Sequence, residues 1–402
     1  MTTLPGPTLG VVGAGQLGRM LAEAAAPLGV EVIVSDPIED APAAPVARDQ
    51  LVGEFDDPKT FRRLAERVDV LTFEIELVDP DVLREVSEKT GTPVHPHPDT
   101  LALIEDKLVQ KERMTEAGIP VPPFRAVDDG DDVRGAAAAF GYPLMLKARK
   151  GGYDGRGNVA IHDESDIEPA MESVAGPAMV EAFVEFEREL AVMGVKGDGG
   201  IDTFPVTETI HEEEILRETV SPARAGDETI ERATEVARDV LEEMSGRGVY
   251  GIELFEVSEP LRGSDTTGGR HTRDGEILLN EIAPRPHNSG HWTIEGSVTS
   301  QFEQHVRAVL GWPLGSTERR CPTVTANVLG DVDERQEATL YNVDRVLETD
   351  GCNLHYYGKD EVYELRKMGH LTQIGDEDAD PAELLETTRA VRDELTFAPD
   401  RD

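Results

Sequence analysis

The 402 residues carry 80 acidic against 39 basic side chains, a formal net charge of −41, and their length suits two or three packed domains. That imbalance excludes nucleic acid and anionic membrane as partners, because gripping phosphate needs clustered cations. No apolar run would span a bilayer, Met1 to Pro7 lack a basic and an apolar signal region, and Cys321 and Cys352 cannot cage a metal alone, so a reduced, cytoplasmic protein is expected.

Apolar periodicity persists along most of the chain, which argues against disorder. The charge instead suggests adaptation to a cytosol of multimolar salt, where screening shortens to about 3 Å at 1 M. Nine of the 39 cations are lysines. Where lysine is this scarce, Lys107, Lys147, Lys359 and Lys367, all in motif-like places, gain weight.

Residues 8 to 98 alternate as strand and helix: a buried strand Thr8 to Gly13, a helix Gln16 to Pro27, a strand Glu31 to Ser35 ending at Asp36, a helix Lys59 to Arg67, a strand Val70 to Phe73 and a helix Asp79 to Thr90. This is a parallel, doubly wound pattern. His95-Pro96-His97-Pro98 punctuates its end as a domain joint. A helix is predicted over Leu101 to Ala117, with Asp99 as N-cap and Gly118 as stop. Strands follow at Leu144 to Arg149, Asn158 to His162, Ala178 to Glu181, Glu189 to Val195 and Asp202 to Thr209. Then come a helix Ile230 to Met244, a strand Val249 to Val257, a glycine-rich insertion Pro260 to Gly275, a strand Glu276 to Leu279 and a helix Thr299 to Leu310. A small final domain from about residue 313 ends in a helix Pro381 to Leu395.

Three segments carry chemistry. Gly13-Ala14-Gly15-Gln16-Leu17-Gly18 after a strand matches a dinucleotide fingerprint, with Asp36 near the acidic position. It brings a backbone close to an anion without naming the anion. Lys147 to Asn158 holds four glycines in seven residues between two strands; such a loop wraps nucleotide phosphates with backbone N–H groups while Lys147 offers a point charge. The alternative is a hairpin with solvated charges. Asn280 to Thr293 places a carboxylate, two amides, Arg285, His287 and His291 among turn formers, a set suited to a hard cation and an anionic substrate rather than to an ordinary surface loop. Glu181, Glu189, Glu253 and Glu281 stand at or near strand ends in an order that fits a magnesium–ATP clamp.

GAGQLGRM (Gly13 to Met20), GGYDGRGN (Gly151 to Asn158), NEIAPRPHNSGHWT (Asn280 to Thr293) and LHYYGKDEVYELRKMGHL (Leu354 to Leu371) together resemble the 5-(carboxyamino)imidazole ribonucleotide synthetase family of ATP-grasp ligases, from residue 8 to about 375. The resemblance implies an α/β and α+β chain with the ATP-grasp fold: a Rossmann-like domain over 1–98, a central ATP-grasp domain over 99–312 with a phosphate-loop subdomain at about 121–186, and a small C-terminal domain over 313–402. It implies a homodimer, ATP and magnesium or manganese as cofactors, and bicarbonate and 5-aminoimidazole ribonucleotide as further substrates in purine biosynthesis.

By the same resemblance the ATP site falls on Lys107, Lys147, Gly152, Tyr153, Asp154, Gly155, Arg156, Gly157, Asn158, Glu181, Ala182, Phe183, Val184, Glu189, His211, Asn280 and Glu281, with Glu253 and Glu281 as metal ligands. Ribonucleotide contacts fall on Gln16, Leu17, Tyr153, Asp154, Arg156, Arg285, His287, Asn288, Ser289, Lys359 and Arg366. Arg285, Tyr153, Asp154 and His287 are the expected catalytic residues, with Asp154 or His287 taking the amine proton. Residues 259 to 275 exceed the expected hairpin, and the tail beyond 375 is unusually acidic. The rivals are a formate-dependent glycinamide ribonucleotide transformylase, an NAD(P)-dependent dehydrogenase built on the first glycine loop, and a noncatalytic nucleotide-binding regulator.

Overall fold

In the computed structural model, which describes residues 2–151, 157–174, 176–258 and 276–398, the first hundred residues form the parallel sheet their alternation predicts. Strands β1 (Thr8–Val12), β2 (Glu31–Asp36), β3 (Asp49–Val52) and β4 (Val70–Phe73) lie in the order β3-β2-β1-β4. Their continuous apolar runs follow from burial on both faces. Leu9, Val11, Val32 and Val34 pack under helix Gln16–Ala25, whereas Val12, Ile33, Leu71 and Phe73 pack under helices Pro58–Ala65 and Pro80–Thr90. The short edge strand β3 escaped the sequence reading because only Leu51 of its four residues is buried.

A second sheet pairs β5 (Phe124–Val127), β6 (Leu144–Ala148), β7 (Asn158–Ile161) and β8 (Ala178–Ala182) in the order β5-β8-β6-β7. Helix Gly130–Phe140 covers it and was not predicted. Its run of alanines and glycines gives little periodicity, and its start is fixed by an Asp129–Asp132 capping box.

Among the described residues the largest sheet comprises β9 (Arg188–Gly197), β10 (Gly200–Thr203), β11 (Thr207–Glu212), β12 (Ile215–Ser221), β13 (Gly248–Val257), β14 (Glu276–Ala283) and β15 (Thr323–Leu329), together with β17 (Cys352–Tyr356) and β19 (Lys367–Ile374); a ribbon of β16 (Gln336–Glu337) and β18 (Glu361–Val362) stands apart. The main path runs β14-β13-β9-β11-β12-β15-β19-β17, so strands of the C-terminal unit extend the central sheet. One face buries Leu190, Val192, Ile252, Leu254, Leu279 and Ile282 against helix Asp227–Glu243. The opposite face packs Met193, Val195 and Val249 against helix Gln301–Val309 at one end and turns charged side chains outward at the other.

Two expectations about elements change. The single helix Leu101 to Ala117 is two helices, Pro98–Glu105 and Lys107–Glu116. Asp106 breaks them: its backbone is extended (φ −98°, ψ 103°), and its carboxylate accepts from the Leu108 and Val109 N–H groups while pairing with Arg149 at 2.9 and 2.6 Å. His97, rather than Asp99, caps the first of them, accepting from the Asp99 N–H. The strand expected over Asp202 to Thr209 is β10 and β11, interrupted around Pro205, which has no N–H for a ladder.

Candidate active site

Glu253 and Glu281 are direct partners in the antiparallel β13–β14 register, so their side chains share one face. Glu253 also faces Ala191, and Glu189 faces Phe255, which by the period of two puts Glu189 on that same face. In a regular strand Leu279 and Glu281, two residues apart, would point the same way. A bulge prevents it: the register steps from Glu253↔Glu281 to Leu254↔Leu279 and skips Asn280. Leu279 is therefore fully buried in the core while Glu281 turns into the cleft with 53% of its side chain exposed.

Lysines meet these carboxylates from two other elements. Lys147 on β6 reaches Glu181 Oε2 at 2.6 Å, Lys111 reaches Glu181 Oε1 at 3.1 Å, and Lys107, which opens its helix, lies 3.6 Å from Glu281 Oε1. Burial opposes ionisation of Glu181, yet the two ammonium groups outweigh it and hold the carboxyl down at about 2. Lys107 depresses Glu281 in the same way, and Glu281 in return raises Lys107. Glu253 moves the other way, pushed up by burial and by the nearby Glu281 and Glu189 carboxylates. His211 Nδ1 lies 2.8 Å from Glu189 Oε2, and His287 Nδ1 lies 3.7 Å from Glu253 Oε1 and 2.9 Å from Ser289 Oγ.

Arg285 ties this face to the N-terminal sheet. Its Nε and Nη2 meet the two oxygens of Glu76 at 2.8 and 2.9 Å. Two residues earlier, the buried Glu74 accepts from the Gly15 N–H at 2.6 Å, and Asp36 accepts from the Ala14 N–H at 2.9 Å. Burial pushes Glu74 up to about 7. The close approach needs glycine: a Cβ on Gly13, where φ is +98°, would fall 2.5 Å from Glu74 Cγ. The N–H groups of Ala14 and Gly15, which a pyrophosphate would require, already serve internal carboxylates, so this loop lacks the vacancy a dehydrogenase needs. The sequence reading missed Glu74 and Glu76; the one signal was their position immediately after a buried strand.

The remaining expected residues divide. Gly157 and Asn158 close the β6–β7 hairpin, with Asn158 opposite Lys147. Glu181 and Ala182 end β8. Phe183 is exposed, and Val184 packs with Val257, Leu278 and Phe255 in a small apolar cluster beside the carboxylate face. Asn288 is half-buried, and neither atom of its amide has a hydrogen-bond partner among the described residues, as expected of a group that awaits a ligand. Ser289 is buried, and Leu17 is buried in the N-terminal core, so only Gln16 of that pair offers a side chain. Lys359 donates to the Lys367 carbonyl at 2.6 Å, and Arg366 donates to the Glu361 carbonyl and stacks over Tyr363. Lys367, at the start of β19, is near enough to bias the titration of Glu253, His211 and His291. His291 itself is buried beside His370, with ring centroids 4.7 Å apart. Gly152, Tyr153, Asp154, Gly155 and Arg156 lie outside the described residues.

Comparison with known proteins accounts for this arrangement. Three family models match in succession: the ribonucleotide synthetase preATP-grasp domain over residues 7–105, the ATP-grasp domain over 112–302, and the phosphoribosylaminoimidazole carboxylase C-terminal domain over 323–383. The N5-carboxyaminoimidazole ribonucleotide synthase of Brucella melitensis is 40% identical over 374 residues, 92% of this chain and 97% of that protein. The crystal structure of the Thermotoga maritima N5-carboxyaminoimidazole ribonucleotide synthetase superposes with a TM-score of 0.83 at 39% identity, covering 97% of this chain and 99% of that one. The Aspergillus clavatus synthase, solved in complex with ADP and 5-aminoimidazole ribonucleotide, superposes with a TM-score of 0.85 at 32% identity over 96% of this chain and 98% of that one. With carboxylates and lysines of β6, β8, β13, β14 and helix Lys107–Glu116 brought together and this likeness running nearly end to end, the chain belongs to the N5-carboxyaminoimidazole ribonucleotide synthase family of ATP-grasp ligases.

Proposed function

We infer that this chain carboxylates 5-aminoimidazole ribonucleotide with bicarbonate and ATP, giving the N5-carboxyamino product, ADP and phosphate in purine biosynthesis. The observation that carries the reading is the convergence of Glu253 and Glu281, facing each other across β13 and β14, with Lys107, and with Arg285 a few residues further along the chain. Among the described residues no group of three or more His, Cys, Asp or Glu converges as a metal site. A divalent cation would thus be held by the two carboxylates and completed by phosphate oxygens and water, which suits magnesium, or manganese in its place. Bound there, it would neutralise charge on the phosphates. Burial first, and then the neighbouring Glu281 and Glu189 carboxylates, push Glu253 up, so a cation bound there would favour its ionised form.

Bicarbonate is a poor electrophile. Attack of its oxygen on the γ-phosphorus releases ADP and gives carboxyphosphate; the ribonucleotide amine then takes the carboxyl carbon and phosphate departs. Lys147 stabilises the migrating phosphoryl group as a fixed charge. Arg285, held by Glu76, orients the bicarbonate-derived anion beside the amine. Asn288 contacts the ribonucleotide, with the buried Ser289 holding His287 in place behind it; Lys359 and Arg366 meet the 5′-phosphate, and Asp154 or His287 accepts the amine proton.

The deciding assay is ADP release with bicarbonate or with formate, each with and without 5-aminoimidazole ribonucleotide; turnover with formate in place of bicarbonate would assign the transformylase activity instead. Replacing Arg285 by Ala should cut carboxylation by about 10²-fold and leave ATP affinity near normal. Unchanged turnover would remove Arg285 from the mechanism. The net charge of −41 supports a salt-adapted cytoplasmic enzyme. Activity and melting temperature should therefore rise with molar potassium chloride, and full stability in dilute buffer would end that reading. The homodimer is testable by sedimentation.

A further inference from the structure

We propose that Lys111 is the positioning residue that sets the spacing between the phosphate-binding lysine, Lys147, and the cation-binding carboxylate, Glu281. Lys111 follows Lys107 by four residues on helix Lys107–Glu116, so the two point from one helix face toward the same cleft wall. Lys107 stops at Glu281, whereas Lys111 is 2% exposed and reaches deeper. Its ammonium contacts three acceptors: the Leu279 carbonyl at 3.0 Å, the Asn280 carbonyl at 3.0 Å and Glu181 Oε1 at 3.1 Å. Two of the three N–H bonds of that ammonium are donated to the carbonyls, and its charge faces the Glu181 carboxylate as an ion pair, so Lys111 is turned away from substrate.

Those acceptors are not arbitrary. Leu279 and Asn280 form the bulge that turns Glu281 out of the core and into the cleft. A bulge disrupts the ladder locally, and Lys111 supplies donors to the carbonyls at that point. Through the Asn280 carbonyl it fixes the peptide that enters Glu281. Through Oε1 it pins Glu181, whose other oxygen holds Lys147 at 2.6 Å. One buried ammonium thus grips both the nucleotide side and the cation side of the cleft. Neutralising Glu181 alone would not require it, since Lys147 already pairs with that carboxylate.

The inference rests on ATP and its cation occupying this cleft, so the primary readout is equilibrium binding of a fluorescent ATP analogue with magnesium, in the absence of bicarbonate and ribonucleotide. For full-length Lys111→Met with wild-type near-UV circular dichroism, affinity should fall about tenfold and kcat at saturating ATP about tenfold, with the KM for the ribonucleotide changed less than about twofold. A merely structural role would lower the melting temperature and the active fraction while leaving the KM values alone. A folded Lys111→Met enzyme with nucleotide affinity within about twofold of wild type overturns the assignment, as does an equal loss toward both substrates. Should that variant fail to fold, Lys111→Arg keeps the charge but cannot aim three donors from one nitrogen; it should bind the analogue about threefold or more weakly, and wild-type affinity and kcat would overturn the proposal. If the wild-type enzyme itself binds no nucleotide, the functional reading fails; if it binds and the variant binds equally, the role of Lys111 alone fails.

Discussion

Glu74 and Glu181 are buried to a similar degree, 7% and 3% exposed, and both stand at or near the ends of strands, yet their carboxyl groups sit on opposite sides of the usual range, at about 7 and about 2. Burial pushes both upward, so the partners decide the outcome. Glu74 meets backbone N–H groups at the start of a helix, with Arg285 engaged by Glu76; Glu181 touches two ammonium groups directly. The first loop is consequently filled by the protein's own anion. In the second region Lys111 and Lys147 pair directly with Glu181, while Lys107 pairs with the half-exposed Glu281. A glycine loop alone does not make an anion site; what matters is whether its donors are already taken.

The largest expected effect tests the second region of this comparison. Removing Lys147 with Ala should lower kcat/KM for ATP by about 10³-fold while leaving the ribonucleotide KM nearly unchanged, because a preorganised charge in the cleft is lost. A change below tenfold, measured by steady-state ADP release, would show that the lysine serves only to neutralise Glu181.

Next in size is Glu181→Gln, which strands the buried Lys111 and the half-buried Lys147 ammonium groups and should destabilise the fold by about 3 kcal/mol at pH 7. The folded pKa of Glu181 lies below its ordinary value of 4.5, so its stabilisation is present above that value and is lost as pH falls toward about 2. Urea unfolding in molar salt should accordingly show the deficit of the variant shrinking below pH 4.5. A constant deficit would sever the link between the lysines and this carboxylate.

The smallest effect, with the opposite sign, belongs to Glu74→Gln. The folded pKa of Glu74 lies above its ordinary value of 4.5, so the native state binds more protons between pH 4.5 and about 7 and loses stability as pH rises through that window. The variant should gain on the order of 1 kcal/mol above pH 7 and show a flatter profile between pH 4.5 and about 7, since an amide oxygen still accepts from the Gly15 N–H. No gain would mean that the helix start and Arg285 already compensate the charge in full.

Much of this was legible in the chain. The parallel N-terminal pattern and the strands around Lys147 follow from periodicity, and Glu253 and Glu281 from motifs at strand ends, but that these two face each other depends on a bulge at Asn280 that periodicity does not give. The helix Gly130–Phe140 was not, because alanine and glycine carry no amphipathic signal, and neither was the break at Asp106, which exists to cap one helix and pair with Arg149 from another sheet. Lys111 looked like any lysine on a polar helix face.

The order of residues by itself determined the family, the glycine loops and the acids that surround the cleft, because these depend on spacings of a few residues. Tertiary structure alone decided that the donors of the first glycine loop are taken by internal carboxylates, which carboxylates ionise readily, and that Lys111, Leu279 and Glu181 meet. Those outcomes depend on burial and on charges brought together from distant segments, and neither distance nor desolvation is written in local sequence.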